Sequence, residues 1–299
     1  MTDISAEKIG MIGLGLMGGH MARNLLAAGA KLAVHNRSPE KMTPFVADGA
    51  ARADDPAGVA VGVEAGIIVI CVNDTDALQA VFEGGEDGRG LLAALRPGTL
   101  VIDMGTSKVN VTRVLAGLVE QQNCHLVDAP VSGGEIGAKA GTLSIMAGGS
   151  DEAIARAAPV FDVLGGSWTH IGPVGAGQVA KAANQLIVGQ TLVAVAEALA
   201  LAQAAGARQD KVREALLGGF ASSRILEVHG QRMIEGMFDP GGRAETQLKD
   251  LVQTIELAEQ SGVVLPGLER TTQLWQKMVD KGWAGLDQAG IYKLITSLS

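Results

Sequence analysis

The chain has 299 residues, 47% of them apolar and 3% aromatic, with 24 basic against 32 acidic side chains for a net charge of −8. That length suits two domains better than one, and plentiful Ala, Gly, Val, Leu and Ile suit close-packed helices and buried parallel strands. An acidic chain without a basic run carries no electrostatic footprint for nucleic acid, and two cysteines supply neither a disulfide framework nor a metal-ligand cluster.

Residues 1–8 are polar and lead into a strand, which is not the pattern of a secretory leader. Short aliphatic runs at 9–14, 31–36, 66–73, 99–104 and 125–129 predict strands, and the segments 18–28 and 75–82 between them predict helices. Cys71 and Cys124 fall inside two of these apolar stretches and read as buried, inert thiols. A further strand is expected at 143–147, after which Gly148-Gly149-Ser150 introduces an acidic helix start at Asp151-Glu152. Beyond residue 166 helical patterns take over, at 177–205, 209–217, 225–234, 244–261 and 267–281. Gly206, Gly218-Gly219, Pro240-Gly241-Gly242 and Gly262 punctuate them. The apolar stretch 186–205 is interrupted by Gln190, Glu197 and Gln203, so it is expected as a buried helix rather than a membrane span. Strands alternating with helices imply βαβ units. The expected fold is therefore α/β: a doubly wound, Rossmann-type parallel sheet over residues 1–165, then an all-α domain over residues 166–299. Cytoplasmic residence is the default expectation.

Gly13-Leu14-Gly15-Leu16-Met17-Gly18 stands directly after the first strand and directly before a helix. The first glycine permits the tight turn, the second lets backbone approach a pyrophosphate, and the third lets helix pack on strand. The helix N-terminus adds unpaired N–H groups for the anion. This placement marks a dinucleotide site. The second strand ends in His35-Asn36-Arg37-Ser38 with no carboxylate to accept from a ribose 2′-hydroxyl. Arg37 can engage a 2′-phosphate, with Asn36 and Ser38 as neutral donors, so NADP(H) is the expected cofactor. Val72 and Asn73, at the tip of the third strand, are also assigned to the cofactor.

Ser132-Gly133-Gly134 lies in a loop just after a strand, where a hydroxyl and exposed N–H groups can cradle a carboxylate; a simple glycine turn is the alternative. Lys181 sits among alanines, with Asn184 and Gln185 three and four residues on, so all three share one helix face. A lysine in that setting is either a snorkelling surface residue or a desolvated proton donor.

Residues 128–149, which begin Asp128-Ala129-Pro130-Val131 and continue into the serine–glycine loop, form one motif. With Gly175-Ala176-Gly177-Gln178, Lys181, Asn184 and Lys249-Asp250-Leu251, they make the chain resemble the β-hydroxyacid dehydrogenase family over nearly its whole length. The resemblance implies Lys181 as the catalytic lysine and Asn184 as a catalytic residue orienting the substrate. It also implies Ser132, Gly133, Gly134 and Gln185 as substrate-binding residues, and Thr106 and Lys249 as cofactor contacts. For Thr106 a helix N-cap is the competing reading. No metal is implied. Residues 225–233 and Gln185 look like the tartronate semialdehyde reductases of the family, whereas Asn36-Arg37-Ser38 looks like its NADPH-preferring glyoxylate and succinic semialdehyde reductases. Asp287-Gln288-Ala289 departs from the Asp-His-Ser pattern common near the family's substrate site, and Arg243 is open as an anion ligand or a surface ion pair. The expected activity is NADPH-dependent reduction of a small acid semialdehyde, 2-hydroxy-3-oxopropanoate or an analogue. Glyoxylate or succinic semialdehyde reduction, 3-hydroxyisobutyrate oxidation, imine reduction and a non-catalytic NADP-binding module are the alternatives. The expected partners are a small carboxylate substrate and further copies of the chain, as a homodimer or homotetramer, with neither nucleic acid nor membrane.

Overall fold

The computed structural model describes residues 4–85, 88–239 and 241–298. Residues 1–3 of the polar lead-in and Pro240 of the expected Pro-Gly-Gly turn lie outside the described residues. The chain forms two compact units, Met1–Lys181 and Ala182–Ser299.

In chain order the first unit contains strands β1 (Lys8–Ile12), β2 (Lys31–His35), β3 (Ala51–Arg52), β4 (Ile67–Ile70), a small β5–β6 hairpin (Gly84–Gly85 with Gly88–Arg89), β7 (Leu100–Asp103), β8 (His125–Asp128), β9 (Val131–Ser132), β10 (Leu143–Gly148) and β11 (Gly165–Gly172). Its helices are α1 (Leu16–Ala27), α2 (Thr43–Ala47), α3 (Pro56–Val63), α4 (Thr75–Glu83), α5 (Val109–Glu120), α6 (Gly134–Ala140) and α7 (Asp151–Leu164), followed by the start of α8 (Ala176–Ala204).

Six strands run parallel in the order β3-β2-β1-β4-β7-β8, the doubly wound arrangement of dinucleotide-binding sheets. Strand β10 then joins β8 antiparallel, β9 pairs with β10, and β11 lies parallel to β10. Helices cover both faces, which is why the central strands read as unbroken apolar runs. In β4 every residue is buried. Ile67 and Val69 enter one core with Met11 and Ile102, while Ile68 and Ile70 enter the other with Val59 and Val101. Several helices start on a side-chain cap: Asp55 accepts from Gly58 N–H, Asp74 from Ala77 N–H and Ser150 from Ala153 N–H.

The division expected after residue 165 falls later. Strand β11 belongs to the sheet, and the first unit continues to Lys181. This strand escaped the sequence reading because it is a largely exposed edge of sequence GGSWTHIG, without an apolar alternation.

The second unit is helical: the rest of α8, then α9 (Gln209–Leu217), α10 (Arg224–Glu235), α11 (Ala244–Gln260), α12 (Pro266–Met278) and α13 (Ile291–Thr296). By length and composition α8 could cross a membrane. Here Leu192, Ala196 and Leu199 instead enter a core with Leu251, Leu268, Trp275 and Met278. Gly189 sets the approach of α8 to α11, since a Cβ there would meet Leu251 Cδ2 at 2.9 Å. The helix expected over 267–281 is α-helical to Met278 and continues as a π turn over Val279–Trp283, in which Gly282 has φ +79°.

Candidate active site

The glycine loop turns away from β1 at Gly13, whose φ is +92° and whose Cβ, if it had one, would lie 2.3 Å from Cys71 O. Gly13 N–H donates to His35 O at 3.0 Å, and Leu14 N–H donates to Asn36 Oδ1 at 2.8 Å. The loop is thereby tied to the tip of β2. Gly18 packs α1 on the turn, for a Cβ there would sit 2.0 Å from Gly13 O. Gly15 is different: its Cβ would meet no protein atom within 4 Å. It also occupies the N-cap of α1 without a side-chain cap, and no acidic residue stands in the first turn. The loop therefore combines open space, unscreened N–H groups and the positive end of a helix, and the residues present fit a dinucleotide pyrophosphate. Leu16 is exposed, Met17 partly so.

At the tip of β2, Asn36 Nδ2 donates to Ser38 O at 3.0 Å while its Oδ1 holds Leu14, so this side chain braces the loop. Arg37 is exposed, and among the described residues no ion pair is formed by its guanidinium. Val72 lies against Gly13 and Gly105, and Asn73 beside it is exposed. Burial, reinforced by the Asp103 carboxylate, pushes the Cys71 thiol up to about 12, so it is inert. Thr106 is half-buried and stands two residues before the N-cap of α5, which is Lys108. The N-cap reading of Thr106 does not hold.

Strands β7 and β8 end in register on two buried acids, Asp103 and Asp128. Asp128 Oδ1 accepts from Gly175 N–H at 2.6 Å and Oδ2 from Gln178 N–H at 2.7 Å, so it caps the first turn of α8 from the sheet. Burial raises its carboxyl to about 7; those two N–H bonds pull the other way, and Asp103 adds repulsion. Gly177 and Gly148 allow this approach, since a Cβ on Gly177 would lie 2.3 Å from Met146 O and one on Gly148 2.5 Å from Asp128 Oδ1. One turn further along α8, Lys181 is only 8% exposed, and its Nζ donates to Val131 O at 2.9 Å. The snorkelling reading is overturned. The ammonium is thus held one residue before Ser132-Gly133-Gly134. In that loop Gly133 and Gly134 have φ +134° and +60°, and both are exposed. A desolvated ammonium beside a hydroxyl and open backbone is suited to giving a proton to an oxygen placed there.

Within the helical unit, Asn184 Nδ2 donates to Gln185 Oε1 at 2.8 Å. Gln185 is buried, and its Nε2 donates to Asp250 Oδ2 at 2.5 Å and to Gln247 Oε1 at 3.4 Å. Expected at the substrate, Gln185 joins α8 to α11. Lys249 Nζ lies 3.1 Å from Asp250 Oδ1. Arg243 is exposed and pairs with Glu245 at 3.1 Å. Asp287 is buried and accepts from Gly241, Gly242 and Ala289 N–H, with His229 and Arg232 close by. Burial alone would raise its carboxyl, but His229, those N–H groups and Arg232 together hold it below its usual range. The sequence reading missed Asp103, Asp128, Gln178, Gln247 and Asp250 as site-forming residues. Asp128, Gln178 and Asp250 stand inside the quoted motifs, but nothing in the sequence marks which groups they bond.

A doubly wound dinucleotide sheet whose last strands anchor a buried lysine beside a serine–glycine loop defines an NAD(P)-dependent oxidoreductase. Residues 8–172 match the NAD binding domain of 6-phosphogluconate dehydrogenase, and residues 175–295 match the NAD-binding domain of NADP-dependent 3-hydroxyisobutyrate dehydrogenase. The chain is 40% identical to the 2-hydroxy-3-oxopropionate reductase of Escherichia coli over 96% of its own length and 97% of the relative's. Among solved structures it resembles the 3-hydroxyisobutyrate dehydrogenase of Mycobacterium tuberculosis, with TM-score 0.86, 27% identity and 96% and 98% of the two chains covered. It also resembles Psf3 in complex with NADP+ and 2-OPP, with TM-score 0.85, 26% identity and 97% and 100% covered. The chain belongs to the β-hydroxyacid dehydrogenase family, the 3-hydroxyisobutyrate dehydrogenase-like oxidoreductases.

Proposed function

We propose that this oxidoreductase reduces a small acid semialdehyde, 2-hydroxy-3-oxopropanoate or a close analogue, to the 3-hydroxy acid with NADPH. The carrying observation is the hydrogen bond from the buried Lys181 ammonium to Val131, at the edge of the serine–glycine loop. When bound, the reduced nicotinamide supplies the hydride. Ser132 and the N–H groups of Gly133 and Gly134 hold the substrate carboxylate, fixing the attitude of the carbonyl. Lys181 gives a proton to the carbonyl oxygen as it becomes a hydroxyl, and Asn184, one turn on along α8, orients the substrate. The similarity to the E. coli 2-hydroxy-3-oxopropionate reductase supports this substrate. The preference for NADPH is supported by Arg37, exposed at a strand tip without a carboxylate, and by the match of the C-terminal half to an NADP-dependent family. Lys249 is read as a further cofactor contact, and the chain as a homo-oligomer.

The test is NADPH and NADH oxidation against 2-hydroxy-3-oxopropanoate, glyoxylate, succinic semialdehyde and a cyclic imine, with 3-hydroxyisobutyrate oxidation in reverse. The expected result is highest kcat/KM for 2-hydroxy-3-oxopropanoate. Lys181→Ala should lower kcat by roughly 10²–10⁴-fold and leave NADPH affinity intact. Near-normal turnover in that variant would overturn the proton-donor role, and tight NADPH binding without any turnover would make the chain a binding module.

A further inference from the structure

Gln178 stands in the Gly175-Ala176-Gly177-Gln178 motif with no role assigned to it there, yet it is only 2% exposed and every polar atom of its side chain is hydrogen-bonded. Its Oε1 accepts from Ser107 N–H at 3.2 Å, and its Nε2 donates to Gly105 O at 3.0 Å and to Asp103 Oδ2 at 3.4 Å. Its backbone N–H is the one that Asp128 Oδ2 accepts. Ser107 Oγ closes the cluster by donating to Asp103 Oδ2 at 2.9 Å. The amide therefore brackets Thr106 on both sides, from Gly105 to Ser107.

Asp128 alone fixes where α8 begins. It does not fix how the helix is turned about its own axis, and that angle sets where Lys181 points. Gln178 lies three residues before Lys181, about 60° away around the helix, so the two side chains leave on one side. A twist of about 10° moves an atom about 8 Å from the helix axis by about 1.4 Å. Misplacement on that scale can cost about 10²-fold in rate. An apolar side chain at this position would fill the space but leave Ser107 N–H and Gly105 O buried without this partner.

We infer that Gln178 is a positioning residue, a yoke that locks the rotation of α8, and so the Lys181 ammonium, to the 105–107 loop that carries Thr106. This rests on the reading of Lys181 as proton donor. It acts through Lys181 and makes no contact with substrate itself.

Two variants test it. Gln178→Met keeps the length and removes the bonds. Expected are a 10- to 100-fold fall in kcat with 2-hydroxy-3-oxopropanoate, KM for NADPH within threefold of wild type, and faster amide hydrogen exchange in 105–107 and 176–181 together, measured without substrate. Gln178→Glu should be slow at pH 8 and recover relative to wild type towards pH 6, because a protonated carboxyl again offers one acceptor and one donor. A kcat within twofold of wild type in Gln178→Met, or unchanged exchange in either segment, overturns the inference. Should Gln178→Met fail to fold, a flat relative profile for Gln178→Glu overturns it instead. Near-normal turnover by Lys181→Ala would sink the parent reading while leaving the exchange result standing, so the two failures are distinct.

Discussion

At the scale of single residues, the glycine loop separates two jobs that one motif usually merges. Gly18→Ala would gain about 1 kcal/mol of helix propensity, but its Cβ would lie 2.0 Å from a backbone oxygen that cannot step aside. A net loss of roughly 1–3 kcal/mol is expected, read as a lower melting temperature without nucleotide. Gly15→Ala meets nothing in the protein and has φ −72°, so its melting temperature should stay put. Its NADPH affinity should fall at least tenfold in a fluorescence titration. Equal effects of the two on stability would refute the division. Arg37→Asp should move the ratio of kcat/KM for NADPH over NADH towards NADH by about 10-fold or more, roughly 1.4 kcal/mol. An unchanged ratio would count against the proposed cofactor role of Arg37. As candidates, the three glycines, Arg37 and Lys181 were legible because each breaks a local expectation: small residues where a helix starts, a strand tip without a carboxylate, a charge among alanines. Gln178 and Asp128 were not, because their meaning lies in partners about 50 to 75 residues away.

At the scale of elements, the first turn of α8 is capped from the sheet by the Asp128 carboxylate, and that junction carries a pH signature. The Asp128 carboxyl titrates at about 7 in the folded chain, against about 3.9 when unfolded. Above pH 4 the unfolded chain therefore holds fewer protons at this position than the native one. Its contribution to stability is full below the unfolded value and is lost as pH rises through about 7. Denaturant unfolding at pH 5 to 8 should show this decline. Asp128→Asn should flatten it while costing roughly 1–3 kcal/mol, since an amide puts N–H groups opposite N–H groups. A parallel decline in the variant would assign the effect elsewhere. The elements themselves were mostly legible: β2, β8 and α9 fall where periodicity places them. Strand β11 was hidden by its exposed, glycine-rich edge, and periodicity alone did not separate the α-helical turns of α12 from the π turn that follows Met278.

At the scale of the whole molecule, the change from alternating strands and helices to helices alone was plain in the sequence, whereas the point of change was not. Composition gives the grammar of a segment, but which unit claims the segment 166–181 depends on pairing with β10 and on Asp128. A further whole-molecule expectation concerns assembly. Along α8, Ile187 and Leu201 are 62% and 70% exposed, with the small residues Ala183 and Ala194 exposed between and beside them. A stripe of that kind on an otherwise acidic protein is suited to burial against another copy. Light scattering should return a mass at least twice 30.6 kDa, and Ile187→Glu with Leu201→Glu should lower it. A wild-type mass of one chain would refute the assembly.

The boundary between the two compact units falls between Lys181 and Ala182, within the unbroken span of α8. There is consequently no natural seam at which to excise either half. A fragment ending at residue 165 would forfeit an edge strand, and one ending at 181 would leave six residues of helix with nothing to follow them. Chimaeras made with relatives should exchange the whole of residues 176–204 with one parent, and a protease added to the native protein should cleave elsewhere before it cuts that join.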